Sequence, residues 1–312
     1  MTIEHRSPTS RMSPLPRTEP IVVTPPVLRE RPLPAIDATV DKHDRGIALI
    51  IGGSRDTPGA VLLAGVAALR AGAGTLQLAT VASAAPALRI AVPEALVVGM
   101  NETDRGEIDA AAADELGERV EGADAVLVGA GMQAGSRSAS LVARVLPHLR
   151  EDARLIIDAG GLSELSKVQS ELRQLGERAA LIPNPKEMGA LLDRDRESVR
   201  ADPQDALAAA IDRFGVVVAL RDAETWMSAP GAPVLWDRSG HPAMATSGSG
   251  DVLAGFLTGL AARRTALLDA IAWSAHCHGE AGSAVAARVG GVGMLARELL
   301  DELPCAMAAV GT

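Results

Sequence analysis

The sequence has almost no aromatic residues: its 312 residues include three Trp, two Phe and no Tyr. Proteins that bind nucleic acids by stacking bases need aromatic side chains, so this scarcity argues against that class. Cationic residues are also few, with 30 Lys and Arg against 39 Asp and Glu, and the formal net charge is −9. An acidic chain is poorly suited to bind a phosphate backbone regardless of sequence. We therefore expect no nucleic-acid partner.

Cysteines and long apolar runs are scarce as well. The two cysteines, Cys277 and Cys305, cannot build a disulfide framework, which favours a reduced, cytoplasmic setting. No run of eighteen apolar residues occurs and no apolar segment follows the N-terminal arginines, so we expect no membrane span, no secretory signal and no membrane partner. His276, Cys277, His278 and Glu280 could suggest a metal site, but we favour an ordinary helix face among Ala and Gly.

Proline divides the chain into two regions. Residues 1–35 are rich in Pro, Ser, Thr and Arg, and the repeated prolines argue against helix and central strand. We predict a disordered or extended tail here, with an interaction arm as the alternative. Residues 36–312 show no internal linker and are predicted to form a single catalytic domain.

Within that domain, short apolar runs alternate with Ala- and Leu-rich segments of helical length. The predicted strands are 47–51, 75–79, 95–98, 125–128, 155–157, 180–182, 216–220, 226–228 and 234–236. The predicted helices include 60–71, 110–120, 139–149 and 204–213, and residues 251–303 are predicted to be helical. This alternation predicts an α/β fold in three layers, with a mostly parallel sheet covered on both faces. The last two strands, around Pro230-Gly231, predict a hairpin added to one edge.

Glycine-rich strings follow several predicted strands, where ligands bind in open parallel sheets. Gly52-Gly53-Ser54 follows the first strand, and Gly129-Ala130-Gly131 follows the strand at 125–128. Neither fits the Gly-x-Gly-x-x-Gly pattern of a Rossmann dinucleotide site. Each is compatible with a ligand contact or with a simple tight turn.

The string Thr246-Ser247-Gly248-Ser249-Gly250-Asp251 is the sharpest signal, because it opens a predicted helix. Its backbone N–H groups and the helix dipole suit an anion such as a transferring phosphoryl group. Asp251, in the first helical turn, could take a proton from a hydroxyl group while the loop holds phosphate. The alternative is an ordinary helix cap.

Three further polar residues follow predicted strands: Asp158, Asn184 and Glu187. Carboxylate and amide oxygens at strand ends can order Mg²⁺ and its waters near phosphates. Turn or cap roles are the alternative for each. We predict Asn184 and Glu187 as Mg²⁺ ligands.

Together these strings resemble the ribokinase-like superfamily, and within it the ADP- or ATP-dependent NAD(P)H-hydrate dehydratases, which are related to carbohydrate kinases. The resemblance extends from about Pro25 to Leu303. The strings that carry it are Asp44-Arg45-Gly46, Ile50-Ile51-Gly52-Gly53-Ser54, Pro58-Gly59-Ala60, Ala67-Ala68-Leu69-Arg70-Ala71-Gly72-Ala73-Gly74, Pro93-Glu94 and residues 244–255.

The resemblance implies an enzyme, a hydro-lyase, that repairs hydrated NADH and NADPH. ADP or ATP would phosphorylate the ring hydroxyl, with Mg²⁺ as the metal, and phosphate would then leave. Asp251 would be the catalytic residue. The implied substrate contacts are Ala60, Gly131, Asn184 and Asp251, and the implied nucleotide contacts are Arg221, Asp222, Ala223, Glu224, Thr225, Gly248, Ser249 and Gly250. A homotetramer is also implied.

Four strand ends depart from the family pattern. This chain has Gly129-Ala130-Gly131 for Gly-Pro-Gly, Asp158-Ala159-Gly160 for Asp-Ala-Asp, Ile182-Pro183-Asn184 for Thr-Pro-His and Leu220-Arg221-Asp222 for Leu-Lys-Gly. Asn184-Pro185-Lys186-Glu187 fits the Asn-x-x-Glu pattern of vitamin and sugar kinases in the same superfamily. An ATP-dependent small-molecule kinase and a catalytically impaired relative therefore stay open as alternatives.

Overall fold

Ten strands form one sheet in a computed structural model, which describes residues 19–35, 41–42, 44–133 and 138–311. The strands are β1 (Ile21–Val22), β2 (Ile47–Ile51), β3 (Thr75–Val81), β4 (Ala95–Met100), β5 (Ala125–Val128), β6 (Arg154–Ile157), β7 (Ala179–Leu181), β8 (Val217–Arg221), β9 (Thr225–Ser228) and β10 (Leu235–Asp237). Their order across the sheet is β1-β10-β9-β8-β7-β6-β5-β2-β3-β4. The pairings of β9 with β8 and with β10 are antiparallel, and the others are parallel.

Helices cover both faces of this sheet. They are α1 (Pro25–Arg29), α2 (Pro58–Arg70), α3 (Ala85–Ala91), α4 (Gly117–Gly122), α5 (Ser138–Val145), α6 (Gln169–Leu175), α7 (Pro185–Leu192), α8 (Arg196–Ala201), α9 (Pro203–Phe214), α10 (Ser249–Ala262), α11 (Leu267–Val289) and α12 (Ala296–Val310). One apolar core lies between the sheet and α1–α3 with α10–α12, and a second lies between the sheet and α4–α9. Successive residues of β2 alternate between the two cores, Ile50 in the first and Leu49 and Ile51 in the second. The predicted three-layer fold is confirmed.

Most predicted elements are confirmed with shifts of one or two residues at their ends. One predicted helix, 110–120, is split into a 3₁₀ segment (Ala110–Leu116) and α4. The predicted hairpin is β9 and β10, with Trp226 opposite Trp236. It is not the edge of the sheet, because β1 pairs with β10 on its outer side.

The expectation that proline excludes helix before residue 35 is wrong for the part of that region that the structure describes. Pro25 and Pro26 open α1, where the first helical turn needs no backbone N–H donor. Leu28 is fully buried in the first core, and the Trp273 indole N–H donates to the Arg31 carbonyl at 2.8 Å. The predicted tail at residues 1–18 lies outside the described residues.

The strand order reverses between β2 and β5, which are neighbours although β3 and β4 lie between them in sequence. The chain leaves β2 into α2 against one face and leaves β5 toward α5 against the other. Such a switch point opens a crevice at the carboxyl ends of the strands, where ligands bind in open α/β sheets. The topology therefore predicts that a ligand binds at the loops after β2 and β5.

Candidate active site

The two glycine loops meet at the switch point. The Gly53 N–H donates to the Ala130 carbonyl at 2.7 Å, and the Thr57 hydroxyl donates to the Gly131 carbonyl at 2.5 Å. Gly131 has a φ of +67°, and a Cβ on it would lie 2.6 Å from the Cβ of Ala60. Only glycine allows this approach. Two of the predicted substrate contacts, Ala60 and Gly131, are thus neighbours.

The third loop ends at α10, whose first turn contains Ser249, Gly250 and Asp251. Gly248 precedes it with a φ of +90°, a conformation that glycine adopts freely. The first N–H groups of a helix have no partner within the helix, and they carry the positive end of its dipole. This end of α10 can therefore hold an anion.

His278 of α11 positions this loop. Its Nε2 lies 3.0 Å from the Ser249 carbonyl oxygen and 3.3 Å from the Ser249 hydroxyl, and the imidazole is buried. Burial lowers the pKa of His278 to about 4, so the ring is neutral at pH 7 and its N–H can donate to the carbonyl. In the string His276, Cys277, His278 and Glu280, which could suggest a metal site, His278 thus supports the third loop. Within the described residues, no group of three or more His, Cys, Asp or Glu could hold a metal ion.

Asp251 lies between the third loop and the Gly131 loop. Burial raises the pKa of its carboxyl, while Arg221 and a backbone hydrogen bond from Gly131 act in the opposite direction. A carboxylate with a raised pKa is a stronger proton acceptor. Asp251 thus connects the predicted substrate contact Gly131 to the anion-binding end of α10.

Asp158 and Arg221 form a buried ion pair beside Asp251. The Arg221 Nη2 donates to Asp158 Oδ1, and the Asp158 side chain is 1% exposed. Burial raises the pKa of Asp158 to about 7 despite the attraction of Arg221, and the nearby Glu187 and Asp251 raise it further. This carboxyl therefore changes protonation near neutral pH.

The pKa of Asp158 predicts a pH-dependent stability. Because the folded pKa is raised from 3.8 to about 7, the folded chain binds a proton that the unfolded chain has released. The contribution of Asp158 to the free energy of unfolding is fully present below pH 3.8 and is lost as the pH rises through 7. We expect Asp158→Asn, which cannot titrate, to become more stable relative to the wild type between pH 4 and 7. Urea unfolding of both proteins at several pH values measures this, and a constant difference would contradict it.

Arg221 occupies the middle of this cluster. Its Nε donates to the Ile182 carbonyl at 2.7 Å, and its Nη2 lies 3.9 Å from Glu187 Oε2. Gly250 makes room for it, because a Cβ at this position would lie 2.0 Å from the Arg221 Nη1. The predicted nucleotide contacts Arg221 and Gly250 are thus in direct contact.

Asn184 and Glu187 form a capping box at the start of α7. The Asn184 Oδ1 accepts from the Lys186 and Glu187 N–H groups at 2.9 and 3.0 Å, and Glu187 Oε2 accepts from the Asn184 N–H at 2.8 Å. Such reciprocal bonds stabilise a helix N-terminus. This is the cap role considered as an alternative for both residues. Their role as Mg²⁺ ligands stays a prediction.

Asp222 is paired with a residue that the sequence did not single out. The Arg200 guanidinium donates from Nε and Nη2 to the two Asp222 carboxylate oxygens at 2.7 and 2.8 Å. Arg200 is on α8 and both side chains are partly exposed. The negative charge that replaces the family's glycine is therefore neutralised by an arginine 22 residues earlier.

A cavity of about 550 Å³ lies beside these residues. Seven of the predicted contacts line it: Asn184, Arg221, Asp222, Ala223, Thr225, Ser249 and Gly250. Its lining also includes residues outside the predicted contacts: Arg200, Asp237, Gly240, His241, Pro242, Met244, Ala245, Leu253, Ala275 and Gly279. Glu224 lines a neighbouring cavity of about 450 Å³ instead, and its carboxylate accepts from the Trp236 indole N–H at 2.9 Å. The cavity is large enough for a small-molecule ligand.

Gly160, which replaces a carboxylate of the family pattern, has a packing role. A Cβ here would lie 2.5 Å from the Met132 carbonyl oxygen. A side chain at position 160 would therefore push the backbone after β5 out of place.

The five aromatic residues lie away from the main cavity. Phe256 and Trp273, which follow Asp251 in sequence, are fully buried in the first core. Trp226 and Trp236 stack with ring centroids 4.7 Å apart, and the Arg238 guanidinium lies 4.6 Å from the Trp236 centroid. The lining of the cavity is backbone, aliphatic and polar side chains.

Known proteins are similar to this chain in sequence and in fold. The family model described as NAD(P)H-hydrate dehydratase matches residues 48–305. The ADP-dependent (S)-NAD(P)H-hydrate dehydratase of Xanthomonas campestris pv. campestris is 42% identical over 282 residues, which cover 90% of this chain and 94% of that protein.

Two crystal structures show the same fold. A ribokinase-like superfamily protein from Enterococcus faecalis has a TM-score of 0.77 at 23% identity, covering 93% of this chain and 96% of that one. The ADP/ATP-dependent NAD(P)H-hydrate dehydratase of Bacillus subtilis, co-crystallised with ATP and Mg²⁺ and soaked with CoA, has a TM-score of 0.75 at 22% identity, covering 94% of this chain and all of that one. The fold is therefore ribokinase-like.

The family match spans most of the chain. The start of α10 can hold an anion, and Asp251 in its first turn can accept a proton. Phosphoryl transfer to a hydroxyl group uses both functions. This chain belongs to the NAD(P)H-hydrate dehydratase family, and it is a lyase that repairs hydrated NAD(P)H.

Proposed function

We propose that this chain dehydrates hydrated NAD(P)H by phosphoryl transfer, with ADP as the phosphoryl donor. The observation that carries the proposal is the position of Asp251, between Gly131 on one side and the Gly248–Gly250 loop with Arg221 on the other. The Xanthomonas relative is named ADP-dependent, which supports ADP. The Bacillus relative was co-crystallised with ATP and Mg²⁺, so ATP is the alternative donor and Mg²⁺ the expected metal.

In the first step, Asp251 accepts the proton of the ring hydroxyl. The hydroxyl oxygen forms a bond to the terminal phosphorus of the nucleotide as the bridging P–O bond breaks, and AMP leaves when ADP is the donor. The N–H groups at the start of α10 and the Arg221 guanidinium stabilise the charge on the transferring phosphoryl group. Mg²⁺, when bound to the phosphates, neutralises part of their charge.

In the second step, phosphate leaves the ring carbon with the C–O electron pair. A proton from the neighbouring ring carbon is released, and the ring double bond is restored. The sum is hydrated NAD(P)H plus ADP giving NAD(P)H, AMP and phosphate. Phosphorylation makes this elimination possible because phosphate is a far better leaving group than hydroxide.

The residue assignments follow the same division. We propose Ala60, Gly131 and Asp251 as substrate contacts, with Asn184 at the boundary between the substrate and the nucleotide. The nucleotide would occupy the cavity of about 550 Å³ lined by Arg221, Ala223 and Thr225, with its phosphates toward Gly250. Neutral His278 holds the Ser249 carbonyl and keeps that end of the loop in place.

The deciding experiment is recovery of the NADH absorbance band when the purified protein is mixed with hydrated NADH, ADP and Mg²⁺. Parallel reactions with ATP identify the preferred donor. No recovery from a protein that binds nucleotide would contradict the proposal. A stable phosphorylated product in place of NADH would favour the small-molecule kinase alternative.

The Arg200–Asp222 ion pair predicts that removing Asp222 tightens nucleotide binding. Asp222→Gly should free Arg200 to approach the nucleotide phosphates and should remove a negative charge from the cavity. We expect the Kd for ADP to fall about five- to tenfold, equivalent to about 1 kcal/mol. Isothermal titration calorimetry measures the change.

Two further variants make that result specific. The double variant Asp222→Gly with Arg200→Ala should lose the gain, because the freed guanidinium is absent. Asp193→Asn removes an exposed carboxylate paired with Arg213 and should leave the Kd unchanged. Equal affinities of Asp222→Gly and the wild type would show that this carboxylate lies away from the phosphates.

The assembly and the compartment are further parts of the proposal. We propose a homotetramer, which light scattering of the purified chain tests directly. In the described part of the chain, no helix is both long and apolar enough to cross a membrane. We propose the cytoplasm as the compartment, which imaging of a tagged chain tests.

A further inference from the structure

The Arg221 guanidinium is surrounded by oxygen ligands of the kind that divalent cations use. Asp158 accepts a hydrogen bond from Nη2, Glu187 lies 3.9 Å from the same nitrogen, and the Ile182 carbonyl accepts from Nε. The charge of Asp251 also acts on this group. The Arg221 side chain is only 16% exposed.

Arg221 is fixed in this place by the shape of its surroundings. Gly250 of the third loop lies against it, and any side chain there would collide with Nη1, because a Cβ would lie 2.0 Å from that atom. Two carboxylates and a carbonyl hold the other side of the guanidinium. A planar, permanently charged group with several donors suits such a set of acceptors better than a flexible ammonium group does.

A divalent cation does not fit among these protein groups while Arg221 is present. Mg²⁺ binds carboxylates at about 2.1 Å in octahedral geometry. The Asp158 oxygen is occupied by Arg221, and Glu187 Oε2 also accepts the Asn184 N–H. The Asn184 amide oxygen already accepts two backbone N–H groups.

We propose that Arg221 is the resident cation of this site, in the place that a divalent ion would otherwise take between Asp158 and Glu187. The nucleotide-free protein then binds no divalent cation there, and Mg²⁺ enters only on the phosphates of the nucleotide. This inference rests on the proposed function for its meaning. The positive charge beside Gly250, next to the transferring phosphoryl group, is then that of Arg221 and not that of a metal ion bound by the protein.

Binding of Mn²⁺ alone tests the proposal, because free Mn²⁺ is counted by electron paramagnetic resonance without nucleotide or substrate. At pH 8, where Asp158 is ionised, we expect no Mn²⁺ at this cluster in the wild type. Arg221→Gln removes the charge, so we expect it to gain about one equivalent of Mn²⁺ per chain. Adding Asp158→Asn to Arg221→Gln should abolish that gain.

A matched control is Arg31→Gln. It leaves a single partly buried carboxylate, Asp269, without its partner at 2.6 Å, and should gain no Mn²⁺. The proposal is overturned if folded Arg221→Gln gains no Mn²⁺, with folding judged by circular dichroism. It is equally overturned if the wild type binds Mn²⁺ and Asp158→Asn loses it.

The comparison of the wild type with Asp158→Asn tests the proposal even if Arg221→Gln does not fold. If Arg221 occupies the site, these two proteins should bind Mn²⁺ equally. The outcome is also separate from that of the dehydratase assay. A chain that fails to restore NADH would contradict the proposed function, whereas its Mn²⁺ titration would still report what lies between Asp158 and Glu187.

Discussion

Asp251→Asn should lower the turnover of hydrated NADH by about 10²- to 10⁴-fold, the usual contribution of a positioned general base. The amide has nearly the shape of the carboxylate but cannot accept the hydroxyl proton. Asp251 does not line the main cavity, so the Kd for ADP should change little. The effect should therefore appear in kcat rather than in nucleotide binding.

NADH recovery at saturating ADP and calorimetric titration of ADP measure the two quantities in the same preparation. Asp301→Asn is the matched control, because Asp301 is an exposed aspartate whose partner is Arg70 on the outside of the molecule. It should keep the wild-type turnover. Equal turnover of Asp251→Asn and the wild type would remove Asp251 from the chemistry.

The acid side of the pH profile should report the same group. Burial raises the pKa of Asp251, so its carboxylate form is lost at a higher pH than that of an exposed aspartate. Asp158, with a pKa of about 7 next to the same arginine, titrates in the neighbourhood. The profile then belongs to the coupled pair, and Asp158→Asn should shift its acid limb.

Much of the fold could be predicted because its signals are local. β2 and β5 are continuous aliphatic runs that end at glycine, and the sequence predicts both with the bounds that the structure shows. Their burial on both faces requires an apolar residue at every position, so each strand appears in the sequence as a continuous apolar run. The start of α10 was equally visible, because a loop of Gly and Ser before an Ala- and Leu-rich stretch is a local pattern.

The rest of the site could not be predicted because its partners are far apart in sequence. Arg200 on α8 neutralises Asp222, which follows β8, and His278 supports Ser249 from 29 residues away. No spacing rule connects such pairs. A sequence shows which residue carries a charge, whereas the tertiary fold decides which opposite charge faces it.

The error near the N-terminus has a different cause. Proline excludes the interior of a helix but not its first turn, and Pro25 and Pro26 lie in the first turn of α1. The apolar residue that follows, Leu28, was the available signal for burial, and its packing in the first core is a tertiary contact.

Gly255→Ala should destabilise the protein by about 3 kcal/mol, at the upper end of the usual cost of overfilling a packed core. Gly255 lies on α10 where that helix crosses α2, and a Cβ would lie 2.0 Å from the Ala64 carbonyl oxygen and 2.4 Å from the Ala64 Cα. Both atoms are backbone, so a rotamer change cannot relieve the overlap and the two helices must separate. Gly259, one turn later, makes the same kind of contact with Ala68.

Urea unfolding of the variant measures the loss, and Gly122→Ala is the control. Gly122 is likewise a helical glycine, the last residue of α4, but nothing lies within 4 Å of its Cβ position, so its change should be within about 0.5 kcal/mol. Adding Ala64→Gly should not rescue Gly255→Ala, because the overlap is with backbone atoms of Ala64 rather than with its methyl group. A rescue, or an unchanged unfolding free energy, would place the contact elsewhere.

The same variant connects stability to catalysis. The N-terminus of α2 carries Ala60 and that of α10 carries Asp251, so the close crossing at Gly255 sets the separation of the predicted substrate contact from the proposed base. A shift of about 1 Å in the reacting groups can cost about 10²-fold in rate. We therefore expect the Gly255→Ala protein that is still folded to lose kcat as well, while Gly122→Ala keeps it. Full turnover in folded Gly255→Ala would show that this crossing does not position Asp251.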